Sequence, residues 1–203
     1  MFIELAEFLR CPEAHEVESY CVLMPTEVVD RDVRSGFIGC PICEREYPIV
    51  DGIAHFETPP DTTSVHPPTD PSSVPAAELM QALLGLNGPG GYVVLVGSAA
   101  LAAGTLGPLL DNVGIVSVNV PSAPPAPGTS VLRTDGRIPL RSAMARGVVV
   151  GSDCATGQWL DESVRVLLRG LRLVVLTAKP PLDDIGGLEP MATGEGIWVG
   201  VRR

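Results

Sequence analysis

Two cysteines separated by two residues, Cys40 and Cys43, carry the clearest chemical signal in this sequence. Thiolates at C-x-x-C spacing can both reach one tetrahedral zinc ion from a tight turn, whose backbone amides stabilise their negative charge. A redox-active C-x-x-C is the alternative, but that motif normally opens a helix after a strand. Here Tyr47-Pro48 follows closely and blocks helix extension. The spacing therefore favours one half of a zinc site.

The other half of the site is expected upstream, where Cys11 and His15 form a C-x3-H pair. We predict that Cys11, His15, Cys40 and Cys43 bind zinc, with Cys21 as the alternative to His15 for the remaining position. A ribbon with orphan cysteines and no metal is the competing interpretation. The chain has five cysteines, and this odd number disfavours a disulfide framework.

Net charge excludes one class of partner. The 203 residues contain 14 Lys plus Arg and 24 Asp plus Glu, giving a formal charge of −10. No excess of cations exists to displace phosphate counterions, so we predict no nucleic-acid partner. Residues 1–60 hold 12 acids and 4 arginines, a net of −8, whereas residues 61–203 carry a net of −2. This asymmetry suggests two units with different surfaces.

An uncharged run of 32 residues, 79–110, is long enough to span a bilayer on paper. Nine of its residues are Gly or Pro, so it holds no uninterrupted stretch of about 20 helical residues. We predict a buried strand–loop–helix segment and no membrane span. The N-terminus has Glu4 and Glu7 in its first apolar turns and lacks the basic region of a signal peptide, so we expect a cytoplasmic protein.

The pattern of apolar runs predicts three parts: a small β domain at 1–56, a linker at 57–75 and an α/β domain at 76–203. The linker contains six prolines, and polar Pro-rich sequence of this kind cannot bury a core. After it, strands and helices alternate, and near-continuous Val/Leu strands indicate a parallel sheet covered on both faces. The predicted strands are Tyr92–Val96, Gly114–Val120, Ser130–Arg133, Gly147–Gly151, Leu171–Ala178 and Ile197–Arg202, and the predicted helices are 76–86, 97–110 and 161–169.

The N-terminal part resembles the small zinc-ribbon family that activates tRNA and protein methyltransferases. The resemblance covers residues 1–56 and is carried by LRCP at 9–12 and GFIGCPICEREYPIVDGIAHF at 36–56. Tyr47-Pro48-Ile49 and Asp51-Gly52-Ile53 match the family's YPI-x-DGIP ending, with Ala54 in place of the final Pro. At the first knuckle His15 stands for the usual second Cys. The resemblance implies a protein that acts by binding other proteins.

Residues 76–203 resemble a class I S-adenosylmethionine-dependent methyltransferase. LDESVRVLLRGLRLVV at 160–175 is similar to a helix and strand of that family, and TDGRIPL at 134–140 is similar to its GDa-x-x-LPF loop. The resemblance implies that Asp135 is the residue that binds the adenine amine. The expected fold class is α/β, a Rossmann-like methyltransferase sheet, mostly parallel and truncated, preceded by the zinc-ribbon β domain.

The cofactor motif departs from that family. Of its D-x-G-x-G-x-G only Gly97 remains; Leu95 replaces the acid, and Ala99 and Leu101 replace two glycines. The resemblance implies that side chains at these two positions project toward the cofactor. It also implies a ribose-binding acid where this chain has Asn119, and a neutral amide binds about 1–2 kcal/mol more weakly than a charged group. We therefore predict that Gly97, Asn119 and Asp135 are vestigial and that S-adenosylmethionine does not bind.

These observations predict a non-catalytic accessory or scaffolding subunit of a protein complex, a pseudoenzyme with no catalytic residues. The short sequence between Ala178 and Ile197 suggests that the sheet lacks a usual strand or helix and exposes a surface to a partner. An active methyltransferase with an atypical cofactor loop is the alternative. A regulator whose ribbon senses zinc or oxidation is the third hypothesis.

Overall fold

The computed structural model of the protein describes residues 1–57, 74–121, 126–177 and 185–203. These residues form eleven strands and three α-helices, together with short 3-10 helices at Ile3–Phe8, Gly97–Ala102 and Gly107–Leu109. The elements are β1 (Val22–Val29), β2 (Asp32–Gly39), β3 (Glu46–Val50), β4 (Ile53–His55), α1 (Ala77–Leu84), β5 (Tyr92–Val96), α2 (Ala103–Leu106), β6 (Gly114–Val118), β7 (Thr129–Arg133), β8 (Ala145–Val150), α3 (Gly157–Val166), β9 (Leu167–Leu176), β10 (Leu188–Gly194) and β11 (Ile197–Arg202).

All eleven strands belong to one sheet, in the order β1-β2-β3-β4-β7-β6-β5-β8-β9-β11-β10. The strands from β4 to β9 in this order run parallel to one another, whereas β1 to β4 and β9, β11 and β10 pair antiparallel. The mixed sheet with a parallel centre therefore agrees with the α/β class that the apolar runs predict.

Both faces of the central sheet are buried, which explains its near-continuous apolar strands. Successive side chains of a strand point to opposite faces. In β5, Val94 and Val96 join a core that also contains Leu5, Leu9 and residues of α3, whereas Val93 and Leu95 join a second core with α1 and α2.

The N-terminal strands extend the same sheet. In the junction, β4 pairs parallel with β7, so that Ala54 lies opposite Leu132. Both residues are fully buried. The 3-10 helix at Ile3–Phe8 precedes Leu9, which bridges to Leu140 in the loop after β7. The ribbon-like part, residues 1–57, thus shares a sheet and a core with the rest of the chain.

The helices differ from the predicted ones in extent. The single helix expected between Gly97 and Leu110 is divided into a 3-10 turn, α2 and a second 3-10 turn, and Pro108 lies in the last of these. The helix predicted at 161–169 is α3, Gly157–Val166, and it ends because Leu167 opposite Ala145 already belongs to β9.

The short sequence between Ala178 and Ile197 predicted that the sheet lacks a usual strand or helix. A strand is present there, because β10 lies in this segment and pairs with β11. In the described residues no helix lies between β6 and β7, β7 and β8, or β9 and β10. Most of the linker predicted at 57–75 lies outside the described residues, which resume at Val74.

The uncharged run 79–110 folds as the end of α1, then β5 and the short helical turns, which confirms the predicted strand–loop–helix segment. α1 ends at Gly85, whose left-handed backbone (φ 58°) lets its N–H bond to Gln81. Among the helices that the structure describes, none has the length and apolarity needed to cross a membrane.

Candidate functional site

Side chains from two stretches of sequence, 11–15 and 40–43, converge in the ribbon-like part. One ligand atom from each of Cys11, His15, Cys40 and Cys43 lies within 4.8 Å of the other three. The Sγ atoms of Cys11 and Cys43 are 3.7 Å apart, and Cys40 Sγ lies 3.5 Å from His15 Nε2. A tetrahedral zinc with Zn–S bonds of about 2.3 Å and a Zn–N bond of about 2.0 Å separates its ligand atoms by about 3.5–3.8 Å. The group therefore has the donors and the spacing of a Cys3His site.

The local backbone explains how the C-x-x-C pair converges. Cys40 directly follows β2. Its carbonyl accepts a hydrogen bond from Glu44 N–H at 2.9 Å, which closes a tight turn. Glu44 has a left-handed backbone with φ 58°. The Cys40 N–H in turn bonds to the Arg45 carbonyl at 2.9 Å. This turn aims both sulfur atoms at one point.

The surroundings of Cys40 and Cys11 shift the pKa values of their thiols in opposite directions. Burial acts to raise the pKa of Cys40, but hydrogen bonds from the backbone of Cys43 and Ile42 and from the Ser19 hydroxyl outweigh it and lower the pKa to about 6. The Ser19 Oγ atom lies 3.2 Å from Cys40 Sγ. Burial raises the pKa of Cys11 to about 12. Of these two cysteines, Cys40 is therefore the one whose thiolate the surrounding hydrogen bonds stabilise.

The segment that carries His15 is held by ion pairs from two directions. The Glu13 carboxylate binds Arg45 of the ribbon-like part at 2.9 Å, and the Glu18 carboxylate binds Arg165 of α3 at 3.2 Å. Ser142 N–H also donates to Glu18 at 3.0 Å. Burial opposes the charge of Glu18, yet the Ser142 and Arg165 contacts keep its pKa below the ordinary value. The candidate metal centre is therefore attached to the loop after β7 and to α3.

Cys21, the alternative ligand, is not part of the close group that the described residues form. Its backbone N–H bonds to the Leu9 carbonyl at 3.4 Å, and burial raises the pKa of its thiol to about 12. The structure thus brings together His15 and the three cysteines of the predicted set. Ser19 and Tyr47, whose hydroxyls contact Cys40 and Cys11, were not selected from the sequence. Tyr47 had a signal in its motif, whereas Ser19 had none.

A second place where function is expected is the switch point of the sheet. From the central strand β5 the chain proceeds through β6 and β7 to one side and later through β8 and β9 to the other. In open α/β sheets ligands bind outside the carboxyl ends of the strands at such a point. Here the crevice lies between Gly97, which follows β5, and Gly151, which follows β8.

Hydrogen bonds between protein groups link the two strand ends at this point. Asp153 accepts hydrogen bonds from Ser98 N–H at 2.9 Å and from Ser98 Oγ at 2.6 Å. A methyl group added at Gly97 would lie 2.6 Å from Cys154 Sγ and 2.7 Å from an Asp153 oxygen. Gly97 is therefore needed for close packing within the protein, in addition to its left-handed φ of 62°.

Cys154 itself is buried, and burial raises the pKa of its thiol to about 12. Its neighbour Asp153 is exposed, while its partner Ser98 is only 1% exposed. Sequence reasoning did not identify this Ser98–Asp153 contact. The available signal was a Ser directly after Gly97 and an Asp two residues after Gly151, each at a strand end.

Asn119 uses both ends of its side chain within the protein. Its Nδ2 donates to the Thr134 carbonyl at 2.8 Å, and its Oδ1 accepts from Thr134 N–H at 2.9 Å. These two bonds join the end of β6 to the loop after β7. A ligand that used the same Nδ2–H or the same Oδ1 lone pair would have to displace one of these bonds. The residue matched to a ribose-binding acid is therefore a structural bridge.

The remaining residues of the predicted cofactor site are not members of this bridge, although Asp135 directly follows Thr134. Asp135 is on the exposed part of the loop after β7. Ala99 is completely buried, and Leu101 lines a groove beside the start of α1 together with Val74 and Thr105. The side chains that are hydrogen-bonded at the switch point are thus Ser98 and Asp153, whereas Ala99 and Leu101 were the ones expected to project toward a cofactor.

The Asn119 bridge gives a testable prediction. Asn119→Asp retains the shape but removes the N–H donor to Thr134 and places a carboxylate against a carbonyl. We expect a loss of about 1–3 kcal/mol in the free energy of unfolding, measured by urea titration. Asn112→Asp is the matched control, because Asn112 also has a left-handed backbone, with φ 49°, but is exposed. Equal stability of the two variants would contradict a bridging role.

Comparisons with known proteins bear on the fold. No protein-family model matches the chain, and no curated protein matches it. Among solved structures, a geranyl diphosphate methyltransferase in complex with geranyl diphosphate and sinefungin is 16% identical, with a TM-score of 0.41 over 49% of this chain and 43% of that one. The chain thus spans less than half the length of this relative.

Two further structures are similar at the same level. A chain from the complex between the Haloferax volcanii Trm112 methyltransferase activator and a putative methyltransferase is 17% identical, with a TM-score of 0.41 over 49% of this chain and 50% of that one. A putative S-adenosyl-L-methionine-dependent methyltransferase from Methanococcus maripaludis is 14% identical, with a TM-score of 0.45 over 63% of this chain and 83% of that one. These similarities assign neither a family nor an activity to the chain.

Proposed function

We propose that this protein is a non-catalytic accessory subunit, in which a zinc-stapled ribbon and a methyltransferase-like sheet form one rigid body that binds another protein. Its described residues contain an α/β sheet with a doubly wound centre and a Cys/His group near the N-terminus. The sequence resemblances imply the same two components. Neither the sheet nor the Cys/His group by itself indicates an activity or a partner.

The observation that carries the proposal is the hydrogen-bonded link at the switch point. The Ser98 N–H and hydroxyl donate to the Asp153 carboxylate at 2.6–3.1 Å, and Cys154 lies close to Gly97. A ligand that used the Ser98 N–H or hydroxyl would have to compete with Asp153 for them. The Asn119 bridge adds two more bonds, which commit one N–H and one oxygen lone pair of this amide to Thr134.

The proposed metal is zinc, held by Cys11, His15, Cys40 and Cys43 as a closed structural site. Three thiolates and one imidazole supply four ligands, which leaves no open position for a reacting water. Cys11 and Cys40 are 5% and 3% exposed, so the site is shielded on the core side. When bound, zinc would crosslink the segment 11–15 to the turn 40–43 and thereby fix the ribbon.

Calorimetry with S-adenosylhomocysteine tests the non-catalytic assignment. We expect no saturable binding by the full chain at ligand concentrations up to about 1 mM, since weakened contacts of several kcal/mol move a micromolar ligand to millimolar affinity. A methyltransferase that binds this ligand serves as the positive control. A dissociation constant in the micromolar range would contradict the proposal and favour an active methyltransferase with an atypical cofactor loop.

A further inference from the structure

Exposed apolar side chains are concentrated in the ribbon-like part of the molecule. Among the described residues, twelve large hydrophobic side chains are exposed, and only Leu79 and Met191 lie outside residues 1–57. Scattered exposed apolar residues are normal on a soluble protein, but a concentration on one small part is typical of an interaction site. The ten in the ribbon-like part are Ile3, Val17, Tyr20, Val22, Met24, Val28, Val29, Phe37, Ile42 and Val50.

Strand register places several of these side chains side by side. Met24 of β1 lies opposite Phe37 of β2, which lies opposite Pro48 of β3, so the three share one face of the sheet. Val22 and Val50 are two residues from Met24 and Pro48 and extend the same face. We call these five residues the outer ribbon face. Met24 is 42% and Phe37 45% exposed.

On the opposite face of β2 and β3 the apolar side chains are buried, so their exposure is confined to one face of these strands. Ile38, Tyr47 and Ile49 alternate with the residues of the outer ribbon face and are at most 2% exposed. Their side chains belong to the core that the ribbon-like part shares with the central sheet. The outer ribbon face is therefore a second apolar surface, which no described residue of the chain covers.

Charge distinguishes the possible occupants of this face. Residues 1–57 carry 12 carboxylates and four arginines, a net of −8 from 4 − 12. Glu46 lies two residues before Pro48 on the same face, and Glu27 is an exposed residue of β1. A second copy of the chain would bring like charges together, whereas a basic surface would complement them.

We propose that the outer ribbon face is a docking surface for a partner protein that presents an apolar segment flanked by Lys or Arg side chains. The inference rests on the proposed function as an accessory subunit and specifies the partner's chemistry. The apolar row supplies the buried centre of the interface, and the surrounding carboxylates supply its polar rim. The rim charges increase the rate of association and the specificity more than the intrinsic affinity.

Photo-crosslinking locates the partner. The photoreactive amino acid p-benzoylphenylalanine replaces Phe37 in the full chain, expressed in its native host, and replaces Met191 on the far edge of the sheet as the matched control. We expect a discrete adduct from position 37 whose crosslinked peptide contains apolar residues with flanking Lys or Arg, and no such adduct from position 191. An acidic crosslinked peptide, an adduct between two copies of this chain, or no adduct would overturn the inference.

Charge reversal then tests the rim without altering the apolar packing. The crosslinked peptide is synthesised, and its binding to the purified full chain is measured by fluorescence anisotropy at low salt. The double variant Glu27→Lys/Glu46→Lys is expected to associate about tenfold more slowly at low salt and, with its dissociation rate unchanged, to bind about tenfold more weakly. Glu195→Lys, at the β10–β11 turn, is the control and should bind like the wild type. Equal binding by the double variant and the control would contradict the inference.

The two proposals fail in different experiments. Micromolar binding of S-adenosylhomocysteine would contradict the non-catalytic assignment. A crosslink from position 37 to a peptide with flanking Lys or Arg would still support the docking surface. Thermal unfolding of each variant establishes that it is folded, so that a lost adduct reports the surface. A chain that binds no S-adenosylhomocysteine and forms no adduct at position 37 retains the non-catalytic assignment and loses the docking surface.

Discussion

Cys43→Ser is expected to abolish zinc binding and to lower the midpoint of thermal unfolding by about 10 °C. Cys43 supplies one of four ligand atoms that lie within 4.8 Å of one another. Structural zinc contributes about 10–16 kcal/mol in isolated finger peptides. In this larger chain, with a continuous sheet, we expect a loss of at least about 3 kcal/mol, which corresponds to about 10 °C for a protein of this size.

The ligand set is tested with matched variants and metal analysis of the purified protein. The wild type should contain one zinc per chain, and Cys43→Ser and His15→Ala should contain none. Cys21→Ser is the control, because Cys21 is a partly buried thiol outside the close group. If Cys21→Ser lost the metal and His15→Ala kept it, Cys21 would replace His15 in the ligand set. A wild-type protein purified without zinc and indifferent to chelators would eliminate the metal centre.

Leu132→Ala is expected to destabilise the whole chain by about 2–5 kcal/mol in a single unfolding transition. Leu132 is fully buried in β7, where it lies opposite Ala54 of the ribbon-like part and Val118 of β6. The substitution leaves a cavity at the point where the two parts share a sheet. Because the same core also contains Leu9 and Val96, the ribbon-like part and the central sheet should unfold together.

Urea titrations followed by far-UV circular dichroism and by Trp198 and Trp159 fluorescence measure this effect. Leu79→Ala serves as the control, since Leu79 lies on α1 and is 44% exposed, and it should cost less than about 0.5 kcal/mol. Two transitions, of which Leu132→Ala shifts only one, would show that residues 1–57 fold independently of the central sheet.

The elements that the sequence could predict are those whose signal is local. The apolar run of β5, Tyr92–Val96, and that of β11, Ile197–Arg202, coincide with the predicted strands. Cys40 and Cys43 are close because a four-residue turn makes them so, and the spacing alone indicates this. Helix ends were less predictable, since the end of α3 depends on the pairing of Leu167 with Ala145 in β8.

Residue types and short spacings by themselves determined the C-x-x-C half of the metal centre, the α/β class and the acidic character of residues 1–60. Tertiary structure decided the rest. It brought His15 rather than Cys21 beside the cysteines, paired β4 with β7, and joined Ser98 to Asp153 at the switch point. The reason is physical: periodicity and turn geometry act between residues a few positions apart. Contacts such as Ser98–Asp153, 55 residues apart, depend on which strands become neighbours in the sheet.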